Sequence, residues 1–67
     1  MGGTDLKLID APNLSDHDAF YEAFLAAQKG KTDAEALAFL AQFSMILANH
    51  VGDAQVLQEA LDLAARS

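Results

Sequence analysis

Chemistry in this sequence would have to start from Asn49-His50, with Asp53 three residues beyond the histidine. A histidine titrates near neutral pH, so His50 could accept a proton or ligate a metal. No nucleophile and no second ligand stand at useful spacing beside it. A histidine in the last turn of a helix also has a purely structural use. It can bond free carbonyls and, when charged, suits the negative end of the helix dipole. Asn49 can likewise bridge to the start of a following helix. The structural reading of His50 is therefore preferred, and Asn49, His50 and Asp53 are kept as a candidate polar site.

Other groupings fare worse. Asp16, His17 and Asp18 are adjacent, and adjacent residues on a helix do not face one another, so they cannot chelate one ion. No H-x-x-x-H or similar ligand spacing occurs, so no metal is expected. Ser15 reads as a helix cap, Ser44 falls inside a helix and Ser67 is terminal. No G-x-S-x-G turn and no glycine-rich phosphate loop is present, and Phe43-Ser44-Met45 lacks the Asp-Ser-Leu context of an acyl carrier. No cofactor is expected.

The elements that carry these residues read as helices. Ser15-Asp16-His17-Asp18 has a hydroxyl at the N-cap and a carboxylate three residues later, which predicts a helix over 16–29 ending at Gly30. Its apolar face is Phe20, Ala23, Phe24 and Ala27. Thr32-Asp33-Ala34-Glu35 is a full capping box and opens a second helix over 33–51, stopped by Gly52. Asp53 caps a third over 54–65, with Val56, Leu57, Ala60, Leu61 and Ala64 on one face and Gln58, Glu59 and Asp62 toward water. Residues 1–15 form an N-terminal arm, extended or flexible, because Pro12 interrupts any helix there. The expected fold is all-α: a three-helix, up-down-up bundle over 16–67, with Phe20, Phe24, Leu40, Phe43, Leu47, Leu57 and Leu61 at its buried centre.

The second helix is apolar on more than one face. Ala36, Leu37, Phe39, Leu40, Phe43, Ile46, Leu47 and Val51 fill about half its circumference on a wheel of 100° per residue. A further stripe holds Ala34, Ala38, Ala41, Met45 and Ala48. A helix apolar on two faces is normally covered on two faces. The stripe is therefore the candidate interface, for a second copy or a larger protein. The competing cover is the arm, through Leu6, Leu8 and Ile9.

Composition limits the rest. The chain has 67 residues, no cysteine and a net charge of -6. So short a chain buries little area, and without disulfides it relies on a tight core or on self-association. The acidity is spread out and no basic patch exists, so nucleic acid is not an expected partner. The charge-free run Ala36 to Gly52 is shorter than the roughly 20 apolar residues of a membrane span and reads as a buried core helix. No membrane is expected, and a cytoplasmic setting suits the missing cysteines.

Two segments carry a resemblance. One is Pro12-Asn13-Leu14 with Asp18-Ala19-Phe20-Tyr21-Glu22-Ala23. The other is Leu47-Ala48-Asn49-His50-Val51-Gly52-Asp53 with Val56-Leu57 and Glu59-Ala60-Leu61. Together they resemble a family of short bacterial proteins catalogued only as a domain of unknown function. The resemblance runs from Pro12 onward, and its specific part is the Asn-His-aliphatic-Gly-Asp string. It implies no activity and so supplies no mechanism. The sequence is best read as a non-enzymatic helical interaction module, self-associating or an accessory subunit of a larger enzyme. The alternative is a small enzyme or ligand-binding protein that uses Asn49 and His50.

Overall fold

A computed structural model describes residues 6–67. It contains three helices: α1, His17–Ala27; α2, Asp33–Val51; and α3, Ala54–Arg66. No strand occurs among the described residues, so the fold is all-α as the capping signals imply.

Local chemistry sets each boundary. α1 starts one residue later and ends two residues earlier than the sequence expectation, with Gln28 as its C-cap and Gly30 in the turn beyond. Asp16, not Ser15, is the N-cap, and its carboxylate accepts the Ala19 N–H at 3.0 Å. Both residues are competent caps, and the carboxylate adds charge complementarity to the helix dipole. At α2 the capping box is complete. Thr32 Oγ1 accepts the Glu35 N–H at 3.2 Å, and Glu35 Oε1 accepts the Thr32 N–H at 2.9 Å. Gly52 ends α2 at φ 69°, in the left-handed region where a side chain costs energy. Asp53 then caps α3 by accepting from Gln55 and Val56 at 2.9 and 3.2 Å.

The helices meet in two places. Between α1 and α2, Phe43 stands 6.2 Å from Phe20 and 6.0 Å from Phe24, ring centre to ring centre, and Phe39 lies parallel to it at 6.1 Å. These are ordinary spacings for favourable aromatic pairs. The ammonium of Lys31 caps the outer face of Phe39 at 5.6 Å. Between α2 and α3 the contact is the tight corner at Gly52-Asp53.

Two expectations about packing are corrected. The centre is not buried: Phe24, Leu40, Phe43 and Leu57 are half-buried, while Phe20, Leu47 and Leu61 are exposed at 41, 46 and 65%. Nor is α2 a buried core helix, since none of its residues is buried. The physical reason is common to both. Two shorter helices cannot surround a 19-residue helix whose apolar residues run around most of its circumference. The result is an open arrangement measuring 47 × 23 × 23 Å, with a radius of gyration of 14.2 Å. A compact chain of this length would have about 11 Å.

The described part of the arm is fastened to α3. Glu59 Oε1 accepts the backbone N–H groups of Lys7 at 3.0 Å and Leu8 at 2.9 Å. Lys7 Nζ reaches Asp53 Oδ2 at 3.2 Å. Residues 1–5 of the arm lie outside the described residues.

Candidate functional site

The surface feature with most character is an apolar groove between the C-terminal half of α2 and α3. It encloses about 430 Å³. Ala48, Ala60 and Ala64 provide small side chains there, and Met45, Leu57 and Leu61 supply bulk around them. Leu47 and Val51 line the end nearest the corner. The groove contains no charged side chain. Its one hydroxyl, Ser44 Oγ, donates to the Leu40 carbonyl at 2.8 Å, so it makes no demand on an occupant.

The sequence-derived interface residues divide along α2. Ala34, Ala38 and Ala41 are exposed, Met45 is 68% exposed, and Ala48 is half-buried in the groove. Leu37 shares their side of the helix and is 70% exposed. The stripe and the groove thus form one continuous apolar surface, which the stripe enters at Met45 and Ala48. The contribution of α3 is invisible in the pattern of α2 alone, and its amphipathic face reads equally well as core.

The described part of the arm does not close this surface. On a helical wheel Glu59 lies about 150° from the groove-facing side of α3. Lys7 and Leu8, held by Glu59, therefore sit on the far flank. Ile9 remains 64% exposed. Glu59 was expected to face water. Its partners are backbone amides some fifty positions away, for which side-chain patterning carries no signal.

No hydrogen bond joins the polar candidates to one another among the described residues. Asn49 and His50 are exposed at the end of α2. Asp53 is half-buried and engaged twice, as the cap of α3 and as the partner of Lys7. The Val56 N–H first, and the Lys7 ammonium next, hold the Asp53 carboxyl below its usual range. Glu59 is lowered too, chiefly by the Gln55 side-chain amide and then by the Leu8 N–H. Both shifts have a structural cause, since every donor named belongs to a cap, to α3 or to the arm. Among the described residues no three His, Asp or Glu side chains gather as metal ligands.

One further property of α2 bears on what could cover it. Its length and apolar content reach those of a membrane-crossing helix, although Asp33 and Glu35 occupy its first turn.

No curated protein and no solved structure matches the chain. A family profile, described as "Protein of unknown function (DUF2783)", matches residues 8–66, from the docked arm to the last turn of α3. With nearly its whole length matched, the chain belongs to the DUF2783 family of proteins of unknown function.

Proposed function

We propose that this chain is a helical interaction module, without catalytic activity of its own, that completes its core against another protein surface. One observation carries the reading: no described residue is buried, while Leu37, Met45, Ile46 and Leu61 are each more than half exposed. Total exposed surface makes the same point. The chain exposes 5676 Å², whereas a compact folded chain of its mass exposes about 4,100 Å². Apolar surface on this scale, in a chain with no disulfide, is expected where a partner removes it from water. The partner is a second copy or a larger protein, in an accessory-subunit role, in the cytoplasm.

The test is thermal unfolding by circular dichroism across a wide range of protein concentration, with analytical ultracentrifugation alongside. Association stabilises the folded state by mass action, so the midpoint should rise with concentration, or with addition of the partner. A cooperative, concentration-independent transition of a monomer, unchanged by any partner, would refute the module.

A further inference from the structure

The groove between α2 and α3 has a matching projection on the same chain. Leu37 and Ala48 are eleven residues apart, which is three helical turns, so they point the same way within about 20° and lie about 16 Å apart along α2. Leu37 is the most exposed of the large apolar side chains among the described residues. Ala48 lies in the groove, and Ala60 and Ala64 line its α3 side. One helix face therefore presents a knob and a hole at a fixed spacing.

The geometry points to a second copy of this chain as the occupant: two α2 helices pair antiparallel about a two-fold axis, and Leu37 of each fills the α2–α3 groove of the other. This rests on the reading of the chain as an interaction module and names its partner and register. A two-fold interface requires that residue i meet j while j meets i. Setting Leu37 against Ala48 places Ala41 against Ser44 beside the axis and Ala34 against Val51 at the ends. The small pair at the crossing permits close approach, and the large side chain falls where the groove is. No charged residue lies on this side of α2 between Ala34 and Val51.

Area supports a copy as the occupant. The chain exposes about 1,600 Å² more than a compact monomer of its mass. An interface of the usual stable size takes about 800 Å² from each partner, which lies within that excess.

The chain lacks cysteine, so introduced thiols report alone. Leu37→Cys and Ala48→Cys chains, one isotopically heavy, are mixed, annealed and oxidised, and the products are weighed. Light scattering gives the mass of the parent. The expected result is a dimeric parent and disulfides almost entirely between a Leu37→Cys chain and an Ala48→Cys chain. Leu37→Glu should raise the dimer dissociation constant on the order of a hundredfold or more, since each dimer loses two anchors. A dimeric parent whose Leu37→Cys chains instead link to each other would overturn this register and leave the interaction module standing. A monomeric parent at high micromolar concentration would exclude the second copy. If that monomer floated with neutral phosphatidylcholine vesicles, the face would belong to a lipid surface, and the module would fall as well.

Discussion

Glu59 Oε1 holds the backbone N–H of Leu8 at 2.9 Å, and of Lys7 at 3.0 Å, joining the start of the described chain to the middle of α3. A carboxylate accepting backbone amides is favoured in its charged form. Its pKa is accordingly lowered, by Gln55 first and then by Leu8 and Lys7. For a group whose folded pKa is depressed, the stabilisation is present above its ordinary value and is lost as pH falls through the lowered one. Protection of the Lys7 and Leu8 amides from hydrogen exchange should therefore be full at neutral pH and disappear as pH drops below about 4.5, the ordinary glutamate value. Glu59→Gln should remove most of that protection at pH 7 while leaving the three helices intact by circular dichroism. Unchanged exchange at both amides would show that the clamp is not formed in solution.

Phe43 is the hub between α1 and α2, with three ring neighbours at about equal distance. Phe43→Ala should cost roughly 2–3 kcal/mol, below the ~3–5 kcal/mol of a fully buried phenylalanine, because the ring is only half-buried. Urea titration of the variant gives the number. A loss under about 0.5 kcal/mol, the level of an ordinary surface substitution, would mean that α1 does not pack there.

Gly52 has φ 69°, and a Cβ built on it would lie 3.8 Å from the Asn49 carbonyl, an ordinary contact. The cost of Gly52→Ala is therefore conformational, about 1–2 kcal/mol. Gly52→Asn should be milder, because asparagine tolerates the left-handed region. Equal melting temperatures for all three proteins would contradict a left-handed residue at this corner.

His50 is exposed in the last turn of α2. His50→Ala should cost no more than about 1 kcal/mol, the scale of a surface dipole interaction. Calorimetry of the variant checks this. Loss of binding to a small ligand or metal with stability unchanged would favour the polar-site alternative at Asn49 and His50.

Each chain carries -6, and an assembly of two copies doubles the charge. Salt screens repulsion between exposed charges, with a Debye length of about 10 Å at 0.1 M. Dimerisation should therefore tighten as sodium chloride is raised, a trend that sedimentation can follow. Weakening by salt would point to an interface held by ion pairs and would count against the apolar face of α2.

The helices were legible because their ends are written in local chemistry. Thr32 with Glu35, Gly52 and Asp53 each act within four residues, and all take the predicted roles. The start of α1 was ambiguous because Ser15 and Asp16 are both competent caps, and choosing between them depends on backbone geometry. The exposure of Leu47 and Leu61 was not legible, since an amphipathic pattern marks what should be covered without saying by which chain. The anchoring of the arm was not legible either. Lys7 and Leu8 use backbone N–H groups, which every residue except proline has, and Glu59 looked like any acid on a wet flank.

The contrast between local caps and a distant clamp implies an order of assembly. Each helix carries its own start signal, so each can nucleate without the others, on the sub-microsecond to microsecond scale of helix formation. The Glu59 clamp must instead close a loop of some fifty residues, and its entropy cost grows with that length. The arm should be the last segment to dock during folding and the first to leave on unfolding. A mature α3 is the surface it needs, so in synthesis from the N-terminus these residues wait, unpaired, until α3 has left the ribosome.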